Sequence, residues 1–314
     1  MAILVTGATG FVGYAAVHRL LGAGHDVIAT SRSAEAQWPG GAVKLVHGDL
    51  RDREFARQLV RDADAVVHLA ALTRVRESFD QPEDYAAVNV TGTENLLAAI
   101  EEGGRSCPFV NLSTAVVYGT PERQPISEDF ATAPSNPYGV TKLAGEQAVR
   151  RAAEAGVVAG VSLRGFNICG AVENRADSDL SRIVPKAVAV AAGRFPELAV
   201  NGDGRAIRDF VHVADVAEAV VLALGHAAPG RFDVYNVGAT PATVAGIVAV
   251  VEQVAGVRLP VRHNPPAPEA PSCARIPRGS AASSDGGRGS PRLSGSSVTR
   301  GLPNADDGAV NRRG

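Results

Sequence analysis

Lysine is nearly missing from this 314-residue chain: Lys44, Lys142 and Lys186 are the only three, and arginine supplies the rest of the 31 basic residues. Cysteine is equally scarce. Cys107, Cys169 and Cys273 are odd in number and form no CxxC pair, which argues against a disulfide framework and a zinc site, and no metal is expected. Reduced thiols and a cytoplasmic location follow. No apolar run is long enough to span a bilayer. The start, Met1 to Gly7, has no basic flank and too short an apolar run for a signal peptide. An excess of one charge is also lacking: the net charge is −2, which gives no case for nucleic acid or an acidic membrane as partner. The length suits one large α/β unit or two small domains.

What is present begins at the first residues. Ala2 to Thr6 reads as a buried strand, TGATGFVG follows with Gly7, Gly10 and Gly13, and Tyr14 to Gly24 reads as a helix. A strand, a glycine-rich turn and a helix in that order make a phosphate site. Gly7 permits the turn, Gly10 lets a pyrophosphate approach the backbone, Gly13 lets helix and strand pack closely, and the helix N-terminus supplies N–H donors. The second strand, Asp26 to Thr30, ends in Ser31-Arg32, where a carboxylate would hold the ribose of NAD. A serine and an arginine suit a 2′-phosphate better; the alternative is that Arg32 lies along the adenine or in solvent.

Strand and helix then alternate. Val43 to His47 is a strand, followed by Asp49, which either meets the adenine edge or caps a helix from Arg51 onward. Ala65 to Leu69 is a strand in which His68 reads as packed rather than liganding, and the small residues Ala70-Ala71 leave room for a dinucleotide. Tyr85 to Ile100 reads as one long helix, with Asn89 and Thr93 placed to support the cofactor loop. Phe109 to Leu112 is a strand with Ser113-Thr114 at its carboxyl end, the edge where open α/β sheets bind ligands. A proline-rich loop, residues 121 to 137, leads into a helix running to about Ala155 that opens with Tyr138-Gly139-Val140-Thr141-Lys142. Tyr138 and Lys142 then share a helix face one turn apart. An ammonium beside a phenol favours the phenolate, so the tyrosine can act as a base nearer neutral pH. Val157 to Arg164 is a further strand. The alternation predicts a parallel sheet with right-handed crossovers.

After Arg164 the pattern shortens: 165 to 179 irregular, a helix over 180–192, a strand over 198–201, a helix from Asp215 to Gly225, a strand over 234–237, a helix over 243–255 and a strand over 258–262. These pieces predict a small cap that closes a polar pocket over the sheet's carboxyl edge. The expected division is 1–164 for dinucleotide binding and 165–264 for the cap, part of 212–240 packing back on the sheet. From about residue 265 the composition becomes rich in Ser, Gly and Arg, and Pro271 to Gly314 has no aromatic, lysine or glutamate. Such a segment is expected to be disordered.

Together these stretches resemble the NAD-dependent epimerase/dehydratase group of the extended short-chain dehydrogenase/reductases, over roughly residues 2 to 264. TGATGFVG, HLAA, LSTAVVYG at 112–119, YGVTK, RGFNICG at 164–170 and GDGRAIRDFVHVADV at 202–216 carry the resemblance. It implies an α/β, Rossmann-type, doubly wound parallel sheet with a small C-terminal substrate cap. It implies Thr114, Tyr138 and Lys142 as the catalytic set. It places NAD along Gly7, Gly10, Phe11, Val12, Gly13, Ser31, Arg32, Asp49, Leu50, Leu69, Ala70, Ala71 and Asn89, with Tyr138 and Lys142 at the nicotinamide ribose; Ser31 and Arg32 leave NADP open. Thr114, Asn167 and Arg208 contact a nucleotide-sugar. Related 4,6-dehydratases and sugar-acid decarboxylases carry an acid beside the catalytic hydroxyl, whereas Ala115-Val116 stands here. That implies a 4-epimerase of the UDP-glucose/UDP-galactose type, working through a transient 4-keto sugar. The alternatives are an NADPH-dependent 4-keto nucleotide-sugar reductase and an inactive dinucleotide-binding protein. The resemblance also implies a homodimer pairing helices 85–100 and 138–155. The family continues past residue 265 with a cap segment, and the tail here implies a reading-frame change near Ala267–Ser272.

Overall fold

The computed structural model describes residues 1–38 and 43–265. The expected disordered or frame-shifted tail lies outside the described residues. In chain order the elements are β1 (Ala2–Thr6), α1 (Phe11–Gly22), β2 (Asp26–Ser31), β3 (Lys44–His47), α2 (Arg53–Val60), β4 (Ala65–His68), α3 (Val75–Asp80), α4 (Pro82–Ala86), α5 (Gly92–Glu102), β5 (Cys107–Thr114), α6 (Pro137–Glu154) and β6 (Val158–Gly165). The second half contributes β7 (Asn167–Cys169), β8 (Ala171–Val172), β9 (Arg175–Ala176), α7 (Ile183–Ala191), β10 (Leu198–Asn201), β11 (Ile207–His212), α8 (Val213–His226), β12 (Phe232–Val237), β13 (Thr240–Thr243), α9 (Val244–Ala255) and β14 (Val261–Asn264).

Seven of these strands form one parallel sheet in the order β12-β6-β5-β4-β1-β2-β3. It is the Rossmann-type α/β fold that the alternation predicts. Strand order reverses between β1 and β4, and the glycine turn lies at that switch point, where such sheets bind ligands. The strands read as continuous apolar runs because both faces are covered. Along β1, Ile3 and Val5 pack with Val17 and Leu20 of α1 and Val216 and Val220 of α8. Leu4 points the other way, to Leu96 and Ile100 of α5 and Val149 of α6.

The chain beyond Gly165 is interleaved with the sheet. β12 pairs with β6 from Phe232↔Gly160 to Val237↔Gly165, and α8 covers the face that α1 covers. The remaining pieces stand apart: β13-β11-β7, the parallel pair β10-β14, and the hairpin β8-β9. Ala187 and Val190 of α7 pack with Leu198, Val200 and Leu259, and Val248 and Val251 of α9 lie against that cluster.

Several boundaries differ from the sequence reading. The single helix expected over 85–100 begins at Pro82, ends at Glu102 and is interrupted by a π-helical turn, Ala87–Thr91. α1 begins at Phe11, directly after the glycine turn. Helix α2 is capped by Asp52, whose side chain accepts from Glu54 N and Phe55 N, so Asp49 is not its cap. The stretch read as irregular holds β7 and the hairpin β8-β9, and the last strand is Val261–Asn264 rather than 258–262.

A buried polar network ties α6 to the sheet. Arg164 on β6 grips Glu146 on α6 through Nη2–Oε1 at 2.5 Å and Nε–Oε2 at 3.1 Å. Its Nη1 donates to Tyr118 Oη at 2.8 Å, and Tyr118 donates to Asn236 Oδ1 on β12 at 2.7 Å. Both ionic side chains are nearly sealed from water, at 5% and 3% exposure. Breaking such a pair from one side leaves an uncompensated charge. Arg164→Met is therefore expected to cost about 3–5 kcal/mol, and Arg164→Met with Glu146→Met to regain most of that. Urea midpoints of the two variants check it; a double variant as unstable as the single would contradict it.

Candidate active site

Three candidate side chains lie buried where β5 ends and α6 begins. Asn136 caps α6 by accepting from Gly139 N at 2.9 Å, and Pro137 occupies the first turn. The helix therefore starts immediately before Tyr138, and Tyr138 and Lys142 fall on one face. Gly139 lets the helix press onto the turn after β5: a Cβ there would lie 2.9 Å from Pro134 Cβ and 3.1 Å from Val116 Cγ1. That approach brings the Tyr138 phenol close enough to the Thr114 hydroxyl for Thr114 to lower the phenol's pKa. Thr114, Tyr138 and Lys142 are all buried, at 8%, 9% and 7% exposure.

Two residues missed by the sequence reading complete this corner. Ser78, fully buried on α3, accepts from Tyr138 N at 3.1 Å. Arg182, at the start of α7, acts on the phenol through its charge. Neither has a sequence signal, because both reach Tyr138 only through the tertiary fold. Tyr85 packs edge-on against Tyr138, with centroids 6.5 Å apart.

The electrostatics correct one expectation. Burial is the largest influence on Tyr138 and raises its pKa; the Thr114 hydroxyl and the Arg182 charge pull it down, and Lys142 is not among its influences. Lys142 itself is pushed down to about 8 by burial, against the opposing charge of Glu146 one turn on. The protein's own residues do not make the phenol easy to ionise.

The expected dinucleotide residues gather at the switch point. Gly7 takes a left-handed φ of +66°, and a Cβ on Gly13 would stand 2.1 Å from Gly7 O, so helix and turn could not close with any side chain there. Gly10 is the N-cap of α1 with no side-chain cap, and no acid lies in the first turn. The N–H groups of this first turn thus have no side-chain cap or acid of their own, while the Phe11 and Val12 side chains pack toward Val213 and Ala217 of α8. Thr6 Oγ1 accepts from Leu69 N and Ala70 N, both at 3.2 Å. On the far side, Asn89 accepts from Leu72 N at 2.8 Å and donates to Leu72 O and Thr141 Oγ1. The loop Leu69–Ala71 is thus fixed at both ends, and Asn89 acts by holding it. The π-helical turn carries Asn89; such turns recur at functional sites.

His68 is packed, as expected. It bridges Thr6 at 2.8 Å and Thr93 at 2.9 Å, and burial pushes its pKa down to about 3, so it stays neutral. Thr93 donates to Asn89 O, which leaves His68 Nε2 as donor and Nδ1 as acceptor.

Toward the adenosine end, Ser31 is buried and Leu50 packs under Gly92. Asp49 is held by Arg51, which donates from Nε at 3.0 Å, Nη2 at 2.7 Å and its backbone N at 2.9 Å. Arg32 is exposed.

At the other end of the cleft, Thr114 pairs with Gly165 in register, so β7 emerges beside it. Asn167 pairs with Phe210, which sets Asn167 and Arg208 on one face of the β7–β11 ladder. Asn167 Nδ2 donates to Asp209 O at 2.9 Å, and Arg208 Nη1 donates to Ile207 O at 3.0 Å.

The model of the NAD dependent epimerase/dehydratase family matches residues 3–238. The UDP-glucose 4-epimerase of Streptomyces lividans is 37% identical over 273 residues, which span 82% of this chain and 82% of that protein. Among solved structures, the UDP-glucose 4-epimerase of Brucella ovis in complex with NAD has a TM-score of 0.80 and 31% identity, covering 88% of this chain and 90% of that one. The UDP-glucose 4-epimerase of Stenotrophomonas maltophila, with bound NAD and formylated UDP-arabinopyranose, has a TM-score of 0.80 and 33% identity, covering 87% and 89%.

The buried ammonium generates a test. A folded pKa of about 8 against an ordinary 10.5 means that the unfolded chain binds more protons between those values, so stability rises with pH across that window. Below about pH 8 the cost is fully present. Lys142→Met is expected to stabilise the protein at pH 7 by of order 3 kcal/mol, with the gain shrinking toward pH 10.5. Urea midpoints of both proteins at pH 7 and pH 10 check this; a gain that does not change with pH would contradict it.

Proposed function

We infer the function from one premise: the chain belongs to the NAD dependent epimerase/dehydratase family. It is an NAD-dependent nucleotide-sugar 4-epimerase, the activity by which its relatives are named. The observation that carries this reading is the buried Thr114 and Tyr138 hydroxyls placed together at the sheet's carboxyl edge, with Ala115 and Val116 in place of any acid. A hydroxyl pair of this kind suits reversible removal and return of one proton. Dehydration or decarboxylation would need a further acid or base.

The residues that would hold NAD fit it. The uncapped start of α1 and the turn at Gly7, Gly10 and Gly13 suit a pyrophosphate, Leu69 to Ala71 suit close passage of the chain of the dinucleotide, and Ser31, Arg32, Asp49 and Leu50 flank its adenosine end. When bound, NAD supplies a reversible hydride acceptor whose positively charged ring also favours a nearby phenolate. Lys142 would hold the nicotinamide ribose.

Tyr138 takes the proton from the sugar C4 hydroxyl and returns it after the 4-keto sugar has turned over. Thr114 hydrogen-bonds the C4 oxygen in both orientations and steadies the phenol between steps. Asn167 and Arg208 anchor the nucleotide-sugar so that only the sugar moves. Positioned proton transfer of this kind is worth roughly 10²–10⁴-fold, and fixed orientation supplies much of the rest. A homodimer through the sides of α5 and α6 and a cytoplasmic location complete the proposal; among the described residues no helix is long and apolar enough to cross a membrane.

The test is interconversion without added cofactor. Purified protein is expected to bring UDP-galactose and UDP-glucose to the same mixture from either side. Protein that retains NAD yet interconverts neither sugar would overturn the reading, as would one-way reduction of a 4-keto sugar that requires NADPH.

A further inference from the structure

The adenosine end of the dinucleotide site differs in charge from a site that selects NAD. Selection for NAD uses a carboxylate at the end of β2, which accepts from the ribose hydroxyls and repels a 2′-phosphate. Ser31 and Arg32 stand there instead. Ser31 Oγ accepts from Thr9 Oγ1 at 3.2 Å and from Ser33 N at 3.2 Å, which leaves its own hydrogen to donate. Arg32 follows it in an exposed position.

A second cation arrives from elsewhere in the fold. Arg175, on the hairpin β8-β9, donates from Nη2 to the carbonyl of the same Thr9. Its guanidinium lies 5.0 Å from the centroid of the Tyr14 ring, and Tyr14 is packed against Trp38 with centroids 5.1 Å apart. This aromatic seat holds Arg175 on the glycine turn. The Thr9–Ser31 pair is therefore flanked by Arg32 along the chain and Arg175 through space. Among the described residues neither arginine is paired with a carboxylate. Asp49, the carboxylate that feels Arg32, is already held by Arg51 through both guanidinium and backbone. The local balance is positive and has a hydroxyl donor at its centre, the chemistry that recognises a phosphate monoester.

We propose that this site binds 2′-phosphorylated nicotinamide dinucleotide as well as NAD, with Ser31, Arg32 and Arg175 receiving the 2′-phosphate. The proposal rests on the reading of the glycine turn as a dinucleotide site, and goes beyond it in naming a second cofactor and the residue Arg175.

The experiment is equilibrium dialysis of the full-length protein against equimolar NAD⁺ and NADP⁺. Acid release and quantification of both retained nucleotides follow. NADP⁺ is expected to make up at least about a tenth of the retained dinucleotide. Arg32→Ala is expected to lower the NADP⁺:NAD⁺ ratio at least about ten-fold, the order lost with one charge-assisted hydrogen bond, and Arg175→Ala to lower it in the same sense. Both side chains are exposed, so the variants keep the core intact. Retention of NAD⁺ with NADP⁺ below a tenth, or a ratio unchanged by Arg32→Ala, would overturn this inference and leave the epimerase reading standing. Retention of neither nucleotide would overturn both.

Discussion

Burying the ammonium of Lys142 is unfavourable, and much of the surrounding structure is arranged around keeping it in place. Water is excluded there, and the pKa falls to about 8 as a result. Glu146, one turn along α6, pulls in the opposite direction but cannot swing over to neutralise the lysine, because Arg164 grips both of its oxygens. Arg164 in turn is fixed by Tyr118 and through it by Asn236 on β12. The network that fixes Glu146 reaches from α6 through β6 and Tyr118 to β12. An interior chosen for stability alone would place an apolar side chain at position 142.

The same economy of neutral and charged groups continues along the carboxyl edge. His68 sits between Thr6 and Thr93 and stays uncharged, so it adds no positive charge beside Lys142. Its hydrogen bonds run on through Thr6 to the backbone of Leu69 and Ala70, and through Thr93 to Asn89, which holds Leu72. One neutral imidazole thus links the strand that starts the glycine turn to the loop facing it. The glycine turn and the loop facing it are thus held at a fixed separation by Thr6, His68, Thr93 and Asn89.

Features encoded by neighbouring residues were legible in the sequence. The glycine turn after β1, the strand-helix alternation and the Tyr138–Lys142 spacing each follow from local rules, and the fold and family follow from them. What the sequence did not disclose depends on residues brought together over long distances. Ser78 meets Tyr138 across 60 positions and Arg175 meets Thr9 across 166, and no periodicity signals either. The π-helical turn at Ala87–Thr91 looks helical in pattern, so its effect on the aim of Asn89 was invisible. The sequence offers Asp49 as a cap for the helix that follows, and the structure gives that cap to Asp52. Arg51, two residues on, engages Asp49 through its backbone N and its guanidinium, and the cap falls to Asp52. The phenol's acidity was misread for a similar reason: spacing shows a lysine one turn away but says nothing about burial, which is the larger influence.

The central claim is that the Tyr138 phenol is the group that moves the C4 proton. The most direct measurement compares Tyr138→Phe with the unaltered protein for UDP-galactose turnover and for nicotinamide released on denaturation. Loss of turnover by about 10²–10⁴-fold at unchanged nicotinamide content is the predicted result. Near-normal turnover in the phenylalanine variant would contradict the account.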